Sequence, residues 1–244
     1  TEEWNFTTTL AAGAWASGGD MGAARRNLGG VGSQTANLAF GGDTPPGAAT
    51  AITEEYDGSS WTEVADLDTA RFRQWGAGGT NFSVLNEEWN GASWTEVADL
   101  NTGRQYIGGA GTSTAAIAFG GQKPAAGDES ETWNGTSWTE GDNLTTARSA
   151  VGATGTSTAG LAIGGISGAP AVVAIVESYN GSAWTEIGDI NTARYGSGTS
   201  GITTAAVTFG GSPNPKAVVE SFDGVSWTET TDMSTARGEL AGSP

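Results

Sequence analysis

The sequence predicts an all-β protein assembled from repeated four-stranded units, and three observations carry that reading. Trp15, Trp61, Trp94, Trp138, Trp184 and Trp227 are each followed ten residues later by arginine: Arg25, Arg71, Arg104, Arg148, Arg194 and Arg237. Four units carry an apolar run into Gly-Gly (LAFGG to Gly42, IAFGG to Gly121, LAIGG to Gly165, VTFGG to Gly211), and the first glycine of each pair stands 16 residues after the arginine. An aromatic and an Asx-Gly pair precede five of the tryptophans: Tyr56-Asp57-Gly58, Trp89-Asn90-Gly91, Trp133-Asn134-Gly135, Tyr179-Asn180-Gly181 and Phe222-Asp223-Gly224.

These landmarks divide a unit into four strands. Strand a follows the arginine, as in 195–199. Strand b ends at Gly-Gly, where glycine lets the chain turn among crowded backbones. Strand c ends at the aromatic, and strand d carries the tryptophan. The Asx-Gly pair predicts a type I′ turn between c and d, with φ > 0 at both central residues. The flanks are rich in β-branched and aromatic residues, and no segment shows a useful helical period. Four strands every 40–50 or so residues is the arithmetic of a β-propeller. The tryptophan and its aromatic partner are expected between neighbouring blades, each burying about 150–250 Å².

The units are not all complete. Only 7 residues separate Arg71 from Gly78-Gly79, so the second unit is expected to lack most of an inner strand or to have a segment omitted. In the first unit 11 residues separate Trp4 from Trp15, and FTTTLAAG replaces the Asx-Gly turn, predicting a longer hairpin tip. Residues 1–22 supply strands c and d without a or b, while RGELAGSP from Arg237 begins a strand a and stops. The simplest closure joins the two ends in one blade and hides two sheet edges. The expectation is one domain over 1–244: six blades, two of them deficient. A chain beginning at Thr1 reads as a processed product or part of a longer chain.

The apolar run into Gly-Gly, then a Tyr-like residue, then Trp, resembles the Kelch repeat of β-propellers, across essentially the whole chain. The near-identity of the units, with WTEVADL appearing twice, is similar to that of acidic, Trp- and Thr-rich Kelch-like proteins of marine bacterial viruses. The resemblance implies a propeller acting as a binding or structural module, extracellular or on a virion surface, within a larger assembly. Some Kelch-like propellers belong to copper radical oxidases, which use His, Tyr and a Cys-crosslinked Tyr; this chain has no His and no Cys.

Composition narrows the chemistry further. Without His or Cys there is no Ser-His-Asp or Cys-His nucleophile, no thiolate and no imidazole metal site. Ten cations against 27 acids give a net charge of −17, a poor match to nucleic acid or anionic lipid. No run of 18 apolar residues predicts membrane insertion, and no signal peptide is visible. No calcium-loop spacing and no phosphate-cradling loop occur, so no catalytic residue, metal or cofactor is expected. Glu recurs two residues before the aromatic (Glu2, Glu54, Glu87, Glu131, Glu177, Glu220) and two after Trp (Glu63, Glu96, Glu140, Glu186, Glu229), and Asp recurs five after Trp. No singular carboxylate pair stands out.

Recognition is therefore sought on one face. In an up-and-down blade the b–c and d–a connections emerge together. The b–c loops hold six of the seven prolines, among them Pro45, Pro46, Pro124, Pro170, Pro213 and Pro215, and both lysines, Lys123 and Lys216. Variable loops on a rigid scaffold are where binding concentrates; the plainer reading is idle spacers. The arginines admit two readings: ties to carboxylates or backbone at the d–a connection, or a ring at the channel mouth that attracts an acidic peptide or anionic sugar. The partner expected is a protein or glycan. The alternatives are a carbohydrate lyase or hydrolase using Asp, Glu and Tyr on the same face, and a purely architectural or designed repeat without ligand.

Overall fold

A computed structural model describes residues 2–4, 15–33, 35–72, 86–168 and 171–240. Every regular element among them is a strand. Four antiparallel sheets run a-b-c-d in chain order. Sheet I comprises Gly29–Ser33, Ala36–Phe40, Thr53–Tyr56 and Trp61–Glu63. Sheet III comprises Gly108–Thr112, Ala115–Phe119, Ser130–Trp133 and Trp138–Glu140. Sheet IV comprises Gly152–Thr156, Ala159–Ile163, Val176–Tyr179 and Trp184–Glu186. Sheet V comprises Gly198–Ile202, Ala205–Phe209, Val219–Phe222 and Trp227–Glu229.

Two units hold strands c and d only among the described residues. Sheet II pairs Asn86–Trp89 with Trp94–Val97, and the N-terminal hairpin pairs Glu2–Trp4 with Trp15–Ser17. Gly78-Gly79 and the FTTTLAAG tip lie outside the described residues, as does Pro170.

Strands a of adjacent sheets lie against one another from III to IV and from IV to V. Thr199 Oγ1 donates to the Ala153 carbonyl at 2.5 Å, and Thr154 Oγ1 to the Gly201 carbonyl at 2.6 Å. Between sheets, side chains of strand b meet the next unit's tryptophan. Phe119 lies 4.6 Å from Trp184 edge-on, and Phe40 lies 4.9 Å from Trp94. Leu161 and Ile163 of sheet IV pack with Phe222 and Trp227 of sheet V. The residue six after Trp seals each layer, with Leu67, Leu100, Leu144, Ile190 and Met233 all buried.

Two local expectations need correction. Strand a begins about three residues later than expected, at Gly198 rather than 195, because Gly196, the second residue after Arg194, is left-handed and cannot continue a strand. The c–d turn is not type I′. The aromatic pairs with Trp directly (Tyr56↔Trp61, Tyr179↔Trp184), leaving four residues in the loop. Only its glycine has positive φ, and the Asx carboxyl or amide oxygen accepts the N–H groups two and three residues on in the same loop, as Asn180 does from Ser182 and Ala183 at 2.9 Å each. Three of the b–c loops carry short strand pairs of their own: residues 43–44 pair with 48–49, 122–123 with 125–126, and 166–167 with 171–172.

Candidate functional site

The repeat arginines sit at the base of the d–a connection and point inward. Arg148 Nη1 donates to the carbonyls of Gly164 at 2.8 Å and Ile175 at 2.7 Å, and Nη2 to Glu177 at 2.8 Å. Glu177 also accepts the backbone N–H of Thr145 at 2.7 Å, three residues before the arginine. The same clamp recurs. Arg25 reaches Gly41, Ile52 and Glu54; Arg104 reaches Gly120, Glu129 and Glu131; Arg194 reaches Gly210, Val218 and Glu220. Arg71 pairs with Glu87, which accepts the Asp68 N–H. Burial pulls the guanidinium groups of Arg104, Arg148 and Arg194 below their ordinary pKa, and the paired glutamates push back.

This geometry removes the arginines from the expected recognition surface. The side chains of Arg25, Arg104, Arg148 and Arg194 have 0% exposure, and Arg71 has 5%, so none can meet a partner from outside. The Nη1 groups of Arg25, Arg104, Arg148 and Arg194 satisfy the carbonyls of Gly41, Gly120, Gly164 and Gly210, and give those of Ile52, Glu129, Ile175 and Val218 a second donor beside a backbone N–H. Arg237, half-buried, bridges Lys216 through the backbone.

The loops remain outside. Pro45, Pro46, Pro124, Pro213 and Pro215 are exposed, and Lys123 and Lys216 are half-buried. Lys123 pairs with Glu129. The loops are stitched to the d–a connections by bridges such as Gln105↔Gln122, Ser149↔Ile166 and Tyr195↔Ser212. The second glycine of each pair also donates to the next unit's arginine carbonyl, Gly165 to Arg194 at 2.8 Å for example.

A position that residue identity does not reveal organises this face. Two residues after Arg25, Arg104, Arg148, Arg194 and Arg237 the chain is left-handed: Asn27, Tyr106, Ala150, Gly196 and Glu239 have φ between 53° and 58°. These residues link unit to unit, with Ala150 N donating to Tyr106 O, Gly196 N to Ala150 O and Leu240 N to Gly196 O, at 2.9–3.0 Å. All five line a single hollow of about 250 Å³, joined by Gln122 and Ile166 from the b–c loops. Asn27 and Glu239 come from opposite ends of the chain, and the Arg26 guanidinium is held above its usual range by Asp43 and, less strongly, by Glu239. A larger cavity of about 320 Å³ is walled by Val31, Phe40, Trp89, Trp94, Ile117 and Trp133, between sheets I and III beside the short sheet II. It is also lined by Asn86, the first described residue after 73–85.

Comparison with protein-family models finds no match along the chain, and no curated protein is significantly similar to it.

Proposed function

We propose that the chain is a Kelch-like β-propeller of six blades, two of them incomplete, closed by its two ends. It works as a non-enzymatic binding module, extracellular or on a virion surface, that offers the face of its d–a connections and b–c loops to a protein or glycan partner. One observation carries the reading. Five equivalent left-handed positions converge on one hollow, yet hold five different residues. Strain of this kind costs on the order of 1–3 kcal/mol per non-glycine residue, and glycine would relieve it. Only Gly196 takes that course. Side chains such as Tyr106 and Glu239, kept where glycine would be easier, fit a surface selected for what it contacts.

The test uses the absence of cysteine. Gln122→Cys puts a single thiol at the hollow, and Thr185→Cys puts one on an exposed outer strand. Each is capped with a bulky maleimide and offered to a displayed peptide library and a glycan array. Loss of selected ligands only when residue 122 is capped supports the reading. Capture that survives there and disappears at residue 185 places recognition on the outer strands instead.

A further inference from the structure

We propose that the partner is cationic: a protein segment that seats a lysine or arginine side chain in the hollow against Glu239. This rests on the reading that the face binds, and names what it binds.

The first argument is the distribution of charge. The groups that could have drawn an acidic peptide or anionic sugar are sealed inside, each of the five buried arginines cancelled by a glutamate. The net charge of −17 is therefore carried outside those pairs, by 22 acids against five cations. A field of that sign concentrates cations and slows the approach of anions.

The second argument is local. Among the described residues that line the hollow, Glu239 is the charged one, and it is exposed. Nearby cations are engaged: Arg26 by Asp43 at 2.9 Å, and Lys123 by Glu129. Glu239 is the smallest of the influences on Arg26, whose main partner is Asp43, so a cationic guest still meets negative charge there, whereas an anionic guest meets repulsion.

The third argument is shape. A volume of about 250 Å³ falls below the roughly 300–1,000 Å³ of pockets that take drug-sized ligands. It suits one inserted side chain better than an oligosaccharide. Leu28, Ile166 and Leu240 offer apolar wall to a methylene stem, and Tyr106 and Tyr195 offer ring faces to its cationic head.

The experiment titrates capped Gly-Lys-Gly and Gly-Arg-Gly peptides into the full chain by calorimetry, beside Gly-Gln-Gly, Gly-Glu-Gly and maltotriose. Physiological salt suppresses diffuse attraction. The lysine and arginine peptides are expected to bind and the others not. Glu239→Gln is expected to weaken that binding at least about tenfold, whereas Glu229→Gln, an equal charge change on an outer strand, leaves it unchanged. Equal weakening by both variants overturns the proposal in favour of unspecific charge. Preference for Gly-Glu-Gly or maltotriose, blocked by the cap at residue 122, overturns the cationic guest but leaves the face. Silence of all five probes overturns the guest, and the capping experiment then judges the face separately.

Discussion

Arg148 illustrates why a residue repeated once per unit belongs to the scaffold. It binds two carbonyls and a carboxylate within one enclosed site, and Glu177 ties that site to the preceding loop. Arg148→Met strands a buried carboxylate and is expected to cost about 3–5 kcal/mol in denaturant unfolding. Arg26→Met removes a 61%-exposed side chain and leaves buried Asp43 the Asn27 amide as a donor at 2.8 Å, so it should cost clearly less than Arg148→Met. Equal losses would contradict the clamp. Sequence spacing made the arginine and the recurring glutamates legible, and an Arg–carboxylate tie was one of its two readings. Spacing alone could not choose between that tie and an exposed ring, since burial depends on neighbouring units.

The Asx residues of the c–d loops give a pH prediction. Backbone N–H groups of Ser60 and Ser59 hold the Asp57 carboxyl below its usual range, and those of Ser226 and Val225 do the same for Asp223. A folded pKa below the unfolded one stabilises the fold in full above the unfolded value of about 3.9, and the contribution is lost as pH falls through the folded value. Asn occupies the same place in three other units, Asn90, Asn134 and Asn180. Asp57→Asn with Asp223→Asn should therefore keep the turns while flattening the acid side of the stability profile. Thermal melts from about pH 6 down to about pH 2 check this; an unchanged slope would deny the hydrogen bonds a role.

At the scale of the element, Gly-Gly was readable because its cause is steric and recurs. Gly164 has φ 61°, and a Cβ there would stand 2.4 Å from the Arg194 carbonyl oxygen. Gly168, in a b–c loop, has open space around its Cβ direction and no left-handed requirement. Gly164→Ala is expected to lower the melting temperature by several degrees, with Gly168→Ala close to neutral; similar shifts would contradict a crowded joint between units. The c–d turn was less legible. Asn-Gly favours a two-residue turn in isolation, but pairing Tyr179 with Trp184 leaves four loop residues, and the packing of both rings fixes that register. The five-residue spacing held this information, and turn propensity outweighed it.

At the scale of the whole molecule, the least legible feature was the left-handed position on the face of the d–a connections. It is constant in backbone geometry and different in residue, so alignment by identity passes over it. It also bears on closure. Asn27 and Glu239 are 212 positions apart in the chain and yet wall the same hollow. In a linear stack, five unit-to-unit steps of about 10 Å would hold these residues on the order of 50 Å apart. A ring brings them within one sheet spacing. Asn27→Cys with Glu239→Cys provides two thiols in a chain that otherwise has none. A bis-maleimide spanning about one sheet spacing should join them within a single chain, seen as one cross-linked peptide in the digest. Asn27→Cys paired with Thr185→Cys, on an outer strand, should remain unjoined. Reaction of the second pair but not the first would exclude the ring, and with it a hollow shared by both ends of the chain.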